Sequence, residues 1–115
     1  MYLVVEEIIF ISVAARTLGM HPQTLRKYER MGLVRPARTV GSMRVYSPEE
    51  IARLRVIKRL VDELGVNLAG VQQLLSIGEV VERMRPLMRE ENLGKPDRHR
   101  QLSQELDRIS GLLGM

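Results

Sequence analysis

Residues 19–33 read GMHPQTLRKYERMGL, and this stretch decides the fold of the 115-residue chain. Pro22 suits the first position of a helix, where a backbone N–H has no partner to lose, and Gly32 suits the position just beyond its end. At about 100° per residue, Leu25 and Tyr28 share one side of this helix. The opposite side carries an amide and three positive charges, on Gln23, Arg26, Lys27 and Arg30. The pattern predicts a short helix with one buried face and one basic face.

A second short helix is predicted immediately before this one. Ser12 is placed as its N-cap and Gly19 as its end. Only residues 19–21 separate the two helices, and the separator contains a glycine. Two short helices joined in this way are typical of a helix-turn-helix motif. His21 stands at the start of the second helix, where it is either a donor to a phosphate group or an idle turn residue.

Residues 33–45 lack a helical period and predict a β-hairpin. A glycine-bearing turn at residues 39–43 lies between short flanks that can pair as strands, with Arg38 and Arg44 on either side. Ser-Pro-Glu-Glu at residues 47–50 then forms a capping box with proline at the first helical position, which predicts a third helix. Its apolar stripe consists of Ile51, Leu54, Ile57, Leu60, Val61 and Leu64.

The C-terminal part of the chain is predicted to be helical as well. Asn67 is placed as the cap of a fourth helix, the helical pattern resumes beyond Gly78, and Pro86 interrupts it. The apolar residues beyond Gly78 are Val80, Val81, Met84, Leu87 and Met88. Asp97 is placed as the cap of a last helix, whose apolar residues follow the spacing of a coiled-coil seam. These are Leu102, Leu106, Ile109 and Leu113.

The composition excludes several classes of site. The chain has no cysteine and only two histidines, which removes disulfides, thiolate metal sites and a cysteine nucleophile. It also lacks a nucleophile paired with a base, paired carboxylates in an apolar setting, and a phosphate-binding loop. We therefore expect a protein that is not an enzyme, with no catalytic residue, no metal and no cofactor.

The positive charge is concentrated in one part of the chain. Residues 21–60 hold ten basic and three acidic residues, a net charge of +7, whereas the whole chain is +4 and the remainder therefore −3. Such an asymmetry favours a polyanion as the partner of this segment, the alternative being a solvated charged face. For Arg55, Lys58 and Arg59 both interpretations stay open.

Several ordered motifs of the first two thirds resemble one family. They are TLRKYERMGL, RPAR, a glycine turn, RVYS, a capped helix and GVNLAGV. Together, over about residues 11–77, they resemble the winged-helix DNA-binding domain of MerR-type transcription regulators. The stretches HPQTLRKYERMGLVRPART and GVNLAGVQQLL are similar to the heat-shock repressor branch of that family, HspR.

The resemblance implies a mainly α fold, a winged helix-turn-helix with a small β-hairpin wing followed by C-terminal dimerisation helices. Residues 1–78 would form the DNA-binding domain and residues 79–115 the dimerisation or partner-binding segment. Positions that contact DNA in the family correspond to Thr24, Arg26, Lys27, Tyr28, Arg38, Arg44 and Tyr46. The helical wheel adds Gln23 and Arg30. For Tyr28 the alternative is a core tyrosine whose hydroxyl reaches the surface, and this role is compatible with a DNA contact. The chain departs from the family at Val45, where a second arginine is common, and at Ser42-Met43, which replaces a more glycine-rich turn.

The resemblance also implies partners. They are double-stranded DNA carrying an inverted repeat, a second copy of the chain, and a DnaK-type chaperone as co-repressor of chaperone genes. Residues 80–88 match the dimerisation helix of the family. The seam of the last helix would complete that interface, dock another protein, or pack on its own domain. The alternative function is that of a chaperone-modulator module, which has a MerR-like fold and binds a co-chaperone instead of DNA.

The N-terminal residues do not read as a targeting signal. They are apolar but include Glu6 and Glu7 and lack a basic leader, and no run approaches the roughly 18 apolar residues of a membrane helix. We expect a cytoplasmic, nucleoid-associated bacterial protein that does not bind membranes. Residues 1–9 are either an added strand or a disordered lead.

Overall fold

The structure is a computed structural model that describes residues 9–115. The expectation for residues 1–9 therefore lies outside the described residues, apart from Ile9. The strands are β1 (Ile9–Phe10), β2 (Ala37–Arg38) and β3 (Arg44–Tyr46). The helices are α1 (Ile11–Leu18), α2 (Pro22–Arg30), α3 (Pro48–Lys58), α4 (Leu68–Met84) and α5 (Pro96–Leu113). The predicted fold class, mainly helical with a small antiparallel sheet, is confirmed.

The chain forms two compact units, one ending at Gly65 and the other spanning Val66–Met115. The predicted boundary between residues 78 and 79 falls inside α4, which is one continuous helix. The compact units therefore do not divide the chain at residue 78. The assignment of residues 1–78 to a DNA-binding domain stays a prediction.

The first unit begins with the predicted helix-turn-helix. Gly19 ends α1 in the left-handed conformation at φ 65°, which a residue without a Cβ adopts at little cost. Pro22 opens α2, and His21 caps it through Nδ1, which accepts a 3.0 Å hydrogen bond from the N–H of Gln23. The prediction for Ser12 is wrong: α1 starts at Ile11 directly after β1, so Ser12 lies inside the first turn and Phe10 occupies the cap position.

The sheet is antiparallel with the order β1-β3-β2. Ala37 pairs with Val45 and Arg38 with Arg44, which confirms the predicted hairpin. On its other side β3 pairs with β1, where Ile9 lies opposite Tyr46. The central strand thus holds the hairpin and the entrance to α1 together.

Helix α3 starts at the predicted capping box, but its α-helical part ends at Lys58, before the last residues of the predicted apolar stripe. The hydroxyl of Ser47 accepts a 3.1 Å hydrogen bond from the N–H of Glu50. A π-helical turn at Arg59–Glu63 follows α3 and brings Leu64 to the surface at 59% exposure. A π-turn has more residues per turn than an α-helix, so it shifts the apolar stripe out of phase with the core.

The core of the first unit is almost entirely aliphatic. Each buried leucine or isoleucine stabilises the fold by about 1.5–3 kcal/mol relative to an exposed one. The buried side chains are Ala14, Ala15, Leu18, Leu25, Tyr28, Leu33, Val34, Tyr46, Ile51, Leu54 and Ile57.

The second unit is a helical hairpin. Asn67 caps α4 by accepting a 2.8 Å hydrogen bond from the N–H of Gly70. The predicted interruption at Gly78 is wrong, because a single glycine costs a helix only about 1 kcal/mol and the helix continues to Met84. Pro86 lies beyond the α-helical part, in a 3₁₀ segment at Arg85–Met88 that begins the turn toward α5.

Helix α5 folds back antiparallel on α4. The side chain of Gln73 donates a hydrogen bond to the carbonyl of Leu112, and Arg83 pairs with Glu105 at 3.1 Å. Helix α5 thus packs on its own unit, but Leu106 and Leu113 of its apolar seam stay exposed at 48% and 55%. Completion of a dimer interface and docking of another protein both stay predictions for this seam. Val80, predicted at a dimer interface, is 2% exposed and lies in a groove with residues of α5, so it belongs to the core of this unit.

Candidate DNA-binding surface

One side of α2 is basic, and we call Gln23, Arg26, Lys27 and Arg30 the recognition face. Gln23, Lys27 and Arg30 are exposed, and Arg26 is half-buried. Leu25, at 0% exposure, and Tyr28, at 6%, anchor the opposite side in the core. The helix is therefore fixed by its apolar residues, and the polar ones are turned outward as the wheel predicts.

The cations of the recognition face have no carboxylate partner within residues 9–115. Arg26, Lys27 and Arg30 take part in none of the ion pairs of that part of the chain, although seven other basic side chains elsewhere do. Unneutralised positive charges on one helix face create a field that attracts a polyanion. Their charge is available to an external partner.

Two more residues of α2, Thr24 and Tyr28, are predicted to contact DNA. Thr24 is half-buried. Burial raises the pKa of Tyr28, and the charge of Asp62 raises it further, so its hydroxyl remains a neutral donor at physiological pH. The structure agrees with the interpretation of Tyr28 as a core tyrosine.

The hairpin formed by β2, the turn at residues 39–43, and β3 is the predicted wing. Val40 at its tip is completely exposed, so the turn projects into solvent. Ser42 adopts φ 63°, the conformation that a glycine-rich turn would supply, so the departure from the family pattern leaves the turn intact. Arg38 binds back to this turn, its Nη1 donating to the carbonyl oxygen of Ser42 at 3.2 Å.

Both predicted wing arginines bind one carboxylate on α2. Arg38 Nη2 lies 2.8 Å from Glu29 Oε1, and Arg44 Nε donates to Glu29 Oε2. We call these three residues the Glu29 brace. Burial alone would raise the pKa of Glu29, but the hydrogen bonds from Arg44 and Arg38 outweigh it, so the pKa is lowered and the carboxylate stays ionised.

The sequence interpretation missed Glu29. It precedes Arg38 by nine residues and Arg44 by fifteen, and no helical or strand spacing relates positions that far apart. A weak signal was available, because Glu29 is the only acidic residue in α2.

Tyr46, predicted to contact DNA, is 1% exposed. Its side chain lies in the core on the central strand, and burial raises the pKa of its hydroxyl, with a further contribution from Glu29. A side chain that contacts neither solvent nor the surface cannot reach a phosphate, so this prediction is corrected and Tyr46 is a packing residue.

Other basic residues of the first unit hold the fold together. Arg53 Nε donates to the carbonyl of Leu33 at 2.5 Å, and Lys58 Nζ to the carbonyl of Leu18 at 2.5 Å. Lys58 therefore has a structural role, which neither of the two interpretations left open for it included. Arg59 pairs with Glu63 at 3.7 Å, but both side chains are about 70% exposed, and such pairs contribute little to stability.

The described part of the chain offers neither a metal site nor a membrane-spanning helix. Residues 9–115 bring together no group of three or more histidine and carboxylate side chains that could hold a metal ion. Among the helices of the same range, none has the length and apolarity needed to cross a membrane.

Comparison with known proteins agrees with this geometry. Residues 10–78 match the family described as MerR HTH family regulatory protein. The chain is 46% identical over 74 residues to the Streptomyces coelicolor protein named "Putative heat shock protein HspR", which covers 64% of this chain and 49% of that one. It is 40% identical over 68 residues to the mercuric resistance operon regulatory protein of Bacillus cereus, covering 58% and 51%. The chain spans about half the length of the curated relatives it matches.

A solved structure has the same fold. It is the crystal structure of HiNmlR, described as a MerR family regulator lacking the sensor domain, bound to promoter DNA. The TM-score is 0.60 at 17% identity, and the match covers 95% of this chain and 80% of that one. At this identity the likeness concerns the fold.

Proposed function

The chain belongs to the MerR family of helix-turn-helix regulatory proteins, a family of DNA-binding transcription regulators, and we propose that it represses transcription as a homodimer on an inverted-repeat operator. The family and the relatives compared above are regulators rather than enzymes. The observation that carries the proposal is the recognition face, a helix side with half-buried Arg26 and exposed Gln23, Lys27 and Arg30. Its three cations have no carboxylate partner within residues 9–115.

The recognition face has the chemistry needed to read base edges. Arginine forms bidentate hydrogen bonds to O6 and N7 of guanine, and glutamine forms them to N6 and N7 of adenine. From Gln23 to Arg30 the helix rises about 10 Å, which matches roughly three stacked base pairs. Arg26 lies between them on the same face. We assign base contacts to Gln23 and Arg26, and contacts to the flanking phosphates to Lys27 and Arg30.

The wing supplies contacts of a second kind. Arg38 and Arg44 lie opposite each other on adjacent strands, with side chains 42% and 24% exposed. Both keep donors beyond those that bind Glu29. We assign them to the phosphate backbone beside the recognition helix. Such contacts fix register and orientation without reading sequence.

Dimerisation follows from the small number of base pairs that one recognition helix reaches. Two-fold symmetric dimers double the site and bind inverted repeats. The second unit leaves apolar side chains exposed, with Val81 and Met88 on its first half and Leu106 and Leu113 on α5. We assign the dimer contact to Val81, Met84, Leu87 and Met88, and a docking site for a DnaK-type chaperone to the exposed side of α5.

The target genes are proposed from similarity. The relative with 46% identity over 74 residues carries a heat shock name. We propose chaperone genes as the regulated set, and the bacterial cytoplasm, on the nucleoid, as the place of action.

The experiment that tests this function is selection of fragmented genomic DNA by the purified protein at physiological salt, followed by sequencing of the retained fragments. We expect an inverted repeat upstream of chaperone genes. The affinity for that repeat should fall steeply with salt. Each neutralised phosphate makes the slope of log K against log salt more negative by about 0.9.

Other outcomes separate the parts of the proposal. A repeat upstream of other genes would retain the mechanism and remove the heat-shock assignment. No enrichment, together with recovery of a co-chaperone by the same immobilised protein, would replace DNA binding by the chaperone-modulator function.

A further inference from the structure

An acid on a DNA-reading helix needs an explanation. Glu29 lies next to Arg30 at the end of α2, and a carboxylate near the phosphate backbone repels it. Coulomb interactions alone therefore predict that neutralising Glu29 strengthens DNA binding. The contacts of Glu29 indicate the opposite.

The carboxylate connects three parts of the first unit. Its two oxygens accept from different arginines, Arg38 on β2 and Arg44 on β3, and Arg38 continues to the carbonyl of Ser42 in the turn. One side chain of α2 thus holds both strands of the wing and, through Arg38, its tip. The Glu29 side chain is 22% exposed, which shields these bonds from solvent in part.

Glu29 leaves donors of both arginines free. A guanidinium has five N–H donors. Arg44 uses Nε for the carboxylate, which leaves both Nη groups. Arg38 uses one donor of Nη2 for Glu29 and one of Nη1 for Ser42, which leaves Nε and one hydrogen on each Nη. A phosphate can bind either arginine while the carboxylate remains in place.

We propose that Glu29 is a positioning residue, which holds Arg38 and Arg44 in the orientation that receives the DNA backbone. The proposal rests on the proposed function, since it assigns Glu29 a part in DNA binding. A long side chain that is ordered only on binding lowers affinity, by about 2- to 12-fold for each such side chain. Glu29 orders two arginines before DNA arrives.

The test compares two substitutions that remove the same charge, Glu29→Gln and Glu49→Gln. Glu49 is exposed in the first turn of α3, and no ion pair of residues 9–115 includes it. Affinity for the selected repeat is measured by fluorescence anisotropy over a range of salt. We expect Glu29→Gln to bind about 3- to 10-fold more weakly, at an unchanged salt slope. Glu49→Gln should bind equally well or slightly better.

Two further measurements separate positioning from general stability. In an Arg38→Ala/Arg44→Ala background, Glu29→Gln should no longer weaken binding, because the residues through which it acts are gone. In the DNA-free protein, the ¹⁵N order parameter of the Arg44 Nε–H should fall on Glu29→Gln, while amide signals of α1 and α3 keep their positions.

Several outcomes would overturn the proposal. Tighter binding by Glu29→Gln, to the same extent as by Glu49→Gln, would make the carboxylate only a repulsive charge. Equal weakening in the double-alanine background, or an unchanged Arg44 order parameter, would show that it does not act through the wing arginines. If the parent protein binds no specific DNA, the proposed function fails first, and a lowered order parameter then identifies the brace as purely structural.

Discussion

Lys58 of α3 donates a 2.5 Å hydrogen bond from Nζ to the carbonyl oxygen of Leu18, the last residue of α1. The carbonyls of the last turn of a helix lack partners within it and carry the negative end of the helix dipole, so a cation is favoured there. A Cβ at Gly19 would lie 3.1 Å from this ammonium, so the glycine leaves room for the bond. This bond fixes the end of α1 to α3.

Replacing Lys58 by methionine should therefore destabilise the first unit without acting on DNA directly. Methionine keeps the apolar stem and removes the donor. We expect the free energy of unfolding in urea to fall by about 1.5–3 kcal/mol, the range for hydrogen bonds to charged groups. Arg55→Met is the control, because Arg55 is exposed on the same helix, and it should change stability by less than about 0.5 kcal/mol. Equal effects of the two substitutions would refute the capping role.

Replacing Arg26 by alanine should weaken binding to the selected repeat and relax its specificity at one position. A bidentate contact to a base contributes about 1–3 kcal/mol of discrimination. Binding to the repeat and to single-base variants of it is measured by competition. Arg55→Ala removes the same charge outside the recognition face and should leave the base preference unchanged. An Arg26→Ala protein that discriminates as well as the parent would show that α2 is not the reading helix.

The Glu29 brace should make stability depend on pH in the acid range. The pKa of Glu29 in the folded protein lies below its ordinary value of 4.5. Its contribution is therefore complete above that value and is lost as the pH falls through the lowered pKa. The unfolding free energies of the parent and Glu29→Gln should differ by about 1 kcal/mol near neutrality, as expected for two partly exposed ion pairs. The difference should shrink on acidification, and one that grew would contradict the assignment.

Substitutions at two neighbouring valines of α4 should have different effects, one on stability and the other on self-association. Val80 is buried and Val81 is 38% exposed. Val80→Ala should lower the unfolding free energy by about 2 kcal/mol, from lost burial and the cavity left behind. Val81→Glu should retain the helical circular dichroism and weaken self-association in sedimentation equilibrium. If Val81→Glu associates as the parent does, the proposed dimer surface is wrong.

Local signals in the sequence predicted most of the first unit. Helix caps and breakers act within one helical turn of their own positions, as do Gly19, Pro22 and Ser47. Their effect can therefore be predicted from the sequence without knowledge of the tertiary structure. The errors occurred where a neighbouring element takes precedence. Ser12 lost its cap position because β1 leads straight into α1, and the predicted interruption at Gly78 yielded to a helix that continues to Met84.

The sequence by itself determined the elements, the basic recognition face and the family resemblance, because capping, periodicity and charge clustering depend on residues close together in the chain. Only the tertiary structure decided which charges are free. Arg38 and Arg44 are held by Glu29, Lys58 is bound to a carbonyl forty residues away, and Tyr46 lies in the core. The physical reason is that an ion pair or a hydrogen bond depends on distance in space, which the fold sets and sequence separation does not.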